Sequence, residues 1–186
     1  PVFFQGTAAI SANRLIVAQT AVKVAKSSLT ITPVGEWNKL GARPGRNAET
    51  WTLDGPALND LSFIGGLEDG KTLIREVDRR NRPLPRFSKT MLPTDIVTLF
   101  EGTYRIAADT ALFTIGKVEP IAFAGQPGIS FAYEFTRRDE VKRRGEAAAV
   151  IIGGRLFLMS FEGPSLHYFD RDIARYRQMV ASARVE

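Results

Sequence analysis

The sequence predicts an α+β fold, a mostly antiparallel sheet flanked by helices, and three observations carry the prediction. Residues 146–152 and 155–161 are apolar strands folded about Gly153-Gly154. Three consecutive hairpin-like connections in the second half exclude a parallel sheet there, because parallel neighbours need crossovers of about a dozen residues. A terminal amphipathic helix follows, with Phe169, Ile173, Tyr176 and Val180 at helical spacing.

Taken in order, residues 14–24 alternate loosely and are rich in β-branched side chains, as a first strand should be. Residues 29–34 form a shorter strand ended by Pro33 and Gly35. Trp37 leads into a Gly/Pro/Asn-rich loop over 41–47, and 49–53 is a further strand closed by the turn Asp54-Gly55. Residues 61–66 are strand-like, with 71–74 continuing the pairing after Asp69-Gly70. From Arg75 to Met91 the chain has Pro83, Pro85, many cations and almost no periodicity, which predicts a long exposed loop.

Pro93-Thr94-Asp95 opens a helix, where Thr94 or Asp95 accepts from the free amides of the first turn. Its apolar stripe is Ile96, Leu99, Phe100, Tyr104 and Ile106. Residues 113–123 read as an edge-like strand broken by Pro120. After a turn over 125–128, residues 129–136 alternate with Phe131, Tyr133 and Phe135 on one face. A turn over 137–140 leads into the partner strand, 141–152. The last helix spans about 166–183.

At 186 residues the chain suits one domain, burying about 70% of the surface its unfolded form exposes. Apolar content of 44% and charged content of 24% are those of a globular protein and argue against disorder. No run reaches the roughly 18 apolar residues of a membrane-spanning helix. With no cysteine, disulfides, thiol nucleophiles and thiolate metal sites are excluded. Residues 1–12 are set apart as a tail. Phe3-Phe-Gln-Gly6 reads equally as the remnant of a protease-cleavable tag and as a native segment after a processing site. Residues 13–186 form the single domain.

The order of elements and the end of the chain resemble the PsbP-like α/β/α sandwich superfamily, which includes the photosystem extrinsic subunit and a Ran-binding nuclear transport factor. The resemblance rests on an early strand segment holding Trp37, a central helix, and a meander whose last strand is Arg155-Leu-Phe-Leu-Met-Ser-Phe161. A short loop then leads into an aromatic-anchored helix ending near Ser182. It covers roughly residues 14–184 and rests on hydrophobic pattern, not on signature residues; the long basic stretch over 75–92 departs from it. The resemblance implies a binding or assembly module, since many bacterial members resemble envelope lipoproteins, and it supplies no catalytic residues.

Candidate chemistry is sparse. His167 is the only histidine, with Ser160, Ser165 and Asp170 near in sequence, but no Gly-x-Ser-x-Gly elbow exists and its place at a helix start suits an exposed residue. Without cysteine, one histidine leaves only carboxylates to complete a transition-metal site. Glu36, Glu49, Asp54, Asp60, Glu68 and Asp69 offer carboxylates for a hydrolytic pair, yet most fall in predicted turns as solvated residues. Trp37 and Trp51 are expected as core anchors, with a pocket lined by them, Phe87 and Tyr168 as the alternative.

The net charge of +5 is local. Residues 75–89 hold six cations against Glu76 and Asp78, and 137–144 hold five against Asp139 and Glu140. Arg79, Arg80, Arg82, Arg86 and Phe87, with Arg138, Arg143 and Arg144, are therefore the expected partner-binding residues; the alternative is that they solvate a loop and a hairpin tip. The sequence predicts no cofactor and no enzyme. It predicts a binding or assembly module of the bacterial cell envelope, periplasmic and tethered as a lipoprotein, whose partner is a protein or an anionic membrane surface. A cytoplasmic protein binding nucleic acid or another polyanion through the two basic segments is the alternative, disfavoured by the acids that dilute them.

Overall fold

Side chains of a strand alternate between the two faces of its sheet, and this alternation over residues 142–164 organises the whole molecule. Ala148, Val150, Phe157, Met159 and Phe161 enter one buried cluster, while Ala147, Ala149, Leu156 and Leu158 enter a second. Residues 147–152 and 156–159 are apolar without interruption because both of their faces are covered. In the computed structural model, residues 13–108, 110 and 112–186 are described. The 1–12 tail lies outside them.

The large sheet contains β1 (Arg14–Ile16), β4 (Trp37–Lys39), β5 (Ala48–Thr52), β6 (Asp60–Leu67), β10 (Arg155–Pro164), β9 (Lys142–Ile152), β8 (Gln126–Thr136) and β7 (Phe113–Phe123), in that spatial order. Every pairing in it is antiparallel. A smaller sheet joins β2 (Val22–Lys23), β3 (Leu29–Ile31) and β11 (Arg184–Val185). The pairing of β11 with β3 ties the chain's end to its beginning. Among the described residues two helices complete the fold, α1 (Pro93–Ala107) and α2 (Tyr168–Ser182).

Helix α2 buries Phe169, Ile173, Tyr176 and Met179 in the first cluster, beside Trp37, Trp51 and Phe161. The Tyr176 hydroxyl donates to the Met159 carbonyl at 3.0 Å, so the ring is buried without an orphaned polar atom. Helix α1 buries Ile96, Leu99 and Phe100 in the second cluster, against Phe131, Tyr133 and Phe135 of β8. Both tryptophans are fully buried anchors, as the sequence predicts.

Several expectations are corrected. Residues 71–74 form no strand; Thr72 makes an isolated bridge with Arg86 instead. The stretch from Arg75 to Met91 is not uniformly exposed, since Leu84 and Phe87 are buried, and Phe87 joins the cluster under α1. The cap of α1 is Leu92, whose N–H donates to the Asp95 carboxylate at 2.8 Å. Strand β7 runs through Pro120 unbroken, because an edge strand has amides that bond nothing in the sheet. The turn before β8 falls at Ala124-Gly125, both with positive φ, as a two-residue hairpin turn requires.

Candidate functional site

Beneath α1 the sheet is not purely apolar. Asp60, Ser62 and Ile64 of β6 share a face with Leu158, Ser160 and Glu162 of β10, because the register pairs Glu162 with Asp60, Ser160 with Ser62 and Leu158 with Ile64. All of these but Glu162 line a pocket of about 600 Å³. Pro44, Ala48, Ile64, Leu73 and Ile74 make its apolar walls, and Phe100, Thr103, Tyr104 and Ala107 of α1 overhang it. Arg137, Arg138 and Asp139, from the β8–β9 turn, stand at the end where Asp60 lies.

The polar end is a network. Glu162 is 3% exposed, and the hydroxyls of Tyr104 and Tyr133 both donate to its Oε1, Tyr133 at 2.8 Å. Arg137 approaches Oε2 at 3.5 Å. Burial, and then the neighbouring Asp60 charge, push the Glu162 carboxyl up to about 7, while the two tyrosines and Arg137 hold it back. Burial also raises Asp60, against the Ser62 hydroxyl that donates to it at 2.5 Å. Thr50 and Ser62 extend the chain of hydroxyls at 3.2 Å. Two carboxyls that resist ionisation side by side hold less than their full charge near neutrality.

Only one of the two reaches the pocket. Asp60 lines it, whereas Glu162 is sealed behind Tyr104 and Tyr133 and is not among the lining residues. Arrangement and chemistry suit a ligand with an apolar body and a small head that donates and accepts hydrogen bonds.

The sequence-predicted residues are dispersed. Arg79 and Arg80 are exposed on the 75–91 segment. Arg82 donates to the Ile106 carbonyl at 2.6 Å, near the end of α1. Arg86 is held by Glu76 and by the Gly70 carbonyl, at 2.8 and 2.9 Å. Phe87 cannot face a partner from the core, which corrects that expectation. Arg143 is also turned inward, 5% exposed and forked onto Asp139, whose carboxyl it holds at about 2. Arg144 pairs with Asp170 at 3.1 Å and lies over the Phe169 ring. Arg138 alone of the set lines the pocket.

His167 is exposed with φ 74 at the start of α2, its ring edge-on to Tyr168, and makes no triad. Ser160 faces the pocket on the opposite side of the sheet, and the Ser165 hydroxyl donates to the Lys142 carbonyl. Glu49 lies in a strand, as expected, and Asp60 is the first residue of β6 and not a turn residue. Glu49 is buried, accepting from the Ala25 amide and the Trp51 indole. Glu162 escaped sequence reasoning. Its signal was a carboxylate continuing the inward period-two series Leu156, Leu158, Ser160.

Among solved structures the chain is similar to cyanobacterial PsbP (CyanoP) from Synechocystis sp. PCC 6803, at 17% identity and TM-score 0.59, over 92% of this chain and 94% of that one. It has a PsbP-like fold. Looser similarities are to PA94 of Pseudomonas aeruginosa, a protein of unknown function and putative regulator (10% identity, TM-score 0.44, 87% and 93% covered). Another is to LpqN, involved in cell envelope biogenesis of Mycobacterium tuberculosis (9% identity, TM-score 0.37, 93% and 91% covered). No family model matches the chain, and no curated protein matches it. Among the described residues, no helix is long and apolar enough to cross a membrane and no group of three or more metal-ligating side chains assembles.

Proposed function

We propose that this protein is a non-enzymatic binding module whose ligand is a small amphiphile held under α1. The observation that carries this reading is the pocket of about 600 Å³ that runs from apolar walls to Asp60, Ser62 and Ser160. Its size is that of a small-molecule site. The ligand's aliphatic body would lie against Ala48, Ile64, Leu73 and Ile74, and an uncharged or zwitterionic head would meet Asp60 and Arg138. A location at the cell envelope, with a lipid tether and a protein partner met by Arg79 and Arg80, belongs to the same proposal. It is supported by what the PsbP-like resemblance implies of binding and assembly modules.

The juxtaposed Asp60 and Glu162 favour one competing reading, acid–base hydrolysis. The sealing of Glu162 behind two tyrosines, which leaves a single carboxylate to touch a ligand, favours binding instead.

Titration calorimetry with 1-decanoylglycerol tests the proposal. One molecule should bind per chain, Ala107→Trp should weaken it by about tenfold or more by filling the space, and Asp60→Asn should weaken it less. Absence of binding, or equal binding by Ala107→Trp, would overturn the reading. Fractionation of cells making the native precursor, with an intact mass of the mature protein, separately tests the envelope location.

A further inference from the structure

The chain carries 25 Lys and Arg against 20 Asp and Glu. Six of those cations, Lys26, Arg43, Arg46, Lys71, Arg75 and Arg86, line one hollow of about 760 Å³ with a single carboxylate, Glu68. The rest of the chain is thereby left in balance, with 19 of each sign. The whole net charge of the protein is gathered at one concave place, which adjoins the pocket under α1 at Ile74.

Four separate segments build the hollow: 25–26, 43–47, 67–75 and Arg86. Gly45 lets the 43–46 loop lie directly on the 74–75 backbone, since a Cβ there would meet the Ile74 Cα at 3.2 Å. The Arg75 amide donates to the Pro44 carbonyl at 2.8 Å across the same contact. On another side, the Ala25 amide is tied to buried Glu49 at 3.0 Å, and Ala25 and Lys26 both take positive φ, 54 and 48, which sets Lys26 on the rim. Arg86 is held in place by the Gly70 carbonyl and Glu76.

Little of this charge is neutralised from within. Glu68 leans toward Arg155 at 3.6 Å, outside the hollow, and Glu76 pairs with Arg86 while also accepting the Leu84 amide. The Nη2 of Arg43 is buried without a hydrogen-bond acceptor. A buried guanidinium nitrogen is costly to leave unpaired, and like charges gathered in a concavity repel unless an anion joins them.

We infer that this hollow is a second binding site, for a ligand bearing two or more negative charges on phosphate. Guanidinium forks match phosphate oxygens in bidentate geometry. The volume exceeds that of a single phosphate and suits a diphosphate or a phosphate ester with a small organic body. Leu67 and Ile74 offer that body an apolar wall. The ligand is a soluble phosphate ester or a phospholipid headgroup, which share this chemistry. The site shares Ile74 with the pocket under α1 but none of its charged residues.

The test is titration calorimetry with inorganic pyrophosphate and flotation with vesicles of cardiolipin, whose headgroup carries two phosphates, in phosphatidylcholine, on the intact protein. One pyrophosphate should bind per chain, more weakly as salt is raised. The double variant Arg43→Gln, Arg75→Gln should lose about tenfold or more in affinity with its circular dichroism unchanged. Lys117→Gln with Lys142→Gln, which removes the same charge from β7 and β9, should bind as the parent does. Pyrophosphate binding without vesicle binding assigns a soluble ester. Vesicle binding that pyrophosphate displaces assigns a lipid headgroup. Binding to neither overturns the inference, and so does equal weakening by both double variants, since that would reveal diffuse charge and no site.

Discussion

The two faces of β6, β10 and β9 are made by alternate residues of the same strands, yet they do opposite things. Under α2, around Phe161, the face is closed, and a hollow of about 670 Å³ opens farther along between α2 and β7–β9. Phe161 packs its ring near those of Trp37, Phe169 and Tyr176, with centroids 6.1 to 6.4 Å apart. Under α1 the same strands carry Asp60, Ser160 and Glu162, and a pocket takes the place of solid packing. Burying carboxyls lowers stability unless partners satisfy them. Glu49 is buried on the α2 side too, yet there the Ala25 amide and the Trp51 indole satisfy it within the packing, whereas Asp60 on the α1 side faces a pocket. Conflict between local polarity and burial is a mark of a functional site.

The largest effect should come from breaking the closed face. Phe161→Ala removes a fully buried ring and should cost about 3–5 kcal/mol in urea denaturation. A loss below about 1 kcal/mol would mean that the α2 face is not where the stability lies.

Next is the pH dependence of the open face. With its pKa at about 7 in the folded chain against an ordinary 4.5, Glu162 keeps a proton that the unfolded chain releases. Stability should therefore fall as pH rises from about 4.5 to about 7, by about 3 kcal/mol, and change little above that. Asp60, raised in the same direction, adds to the fall. Glu162→Gln should flatten the profile and stabilise the protein most at alkaline pH; a slope unchanged in that variant would assign the dependence to other groups.

A smaller effect is expected at Gly145, which lies opposite Tyr133 across the β8–β9 pair with the tyrosine ring over its Cα. Gly145→Ala should displace that ring from Glu162 and cost about 1–3 kcal/mol. It should also move the Tyr133 signal in near-ultraviolet circular dichroism, an outcome that Ala132→Gly, also on β8, should not produce. Smallest of all is Arg144→Gln. Its pair with Asp170 is exposed on both sides, so the change should cost less than about 1 kcal/mol. A larger loss would show that the Arg144 contact with the Phe169 ring holds α2 in place.

Much of the fold was legible because strand periodicity is local. Residues 146–161 announced a hairpin about Gly153-Gly154, and 168–182 announced a helix, through apolar spacing that needs no knowledge of distant partners. The pairing of β11 with β3 was not legible. Two residues carry no period, and their partner is more than 150 positions away. The candidate sites were harder. Arg79, Arg80 and Arg82 drew attention as a run of charge, but a run in sequence is not a patch in space. Asp60 was visible as a carboxylate and misplaced as a turn residue; Glu162 lay hidden in an apolar strand.

By itself the sequence determined an antiparallel sheet with a helix in the middle and another at the end, the absence of thiol chemistry, and the burial of both tryptophans. These follow from composition and from short-range periodicity, which a chain carries before it folds. Only the tertiary structure decided that Glu162 meets Asp60, that Tyr104 and Tyr133 converge on one carboxylate oxygen, and that six cations between Lys26 and Arg86 share one hollow. Register, loop closure and close approach at glycine set those meetings. Each depends on which segments become neighbours, and no local pattern encodes that.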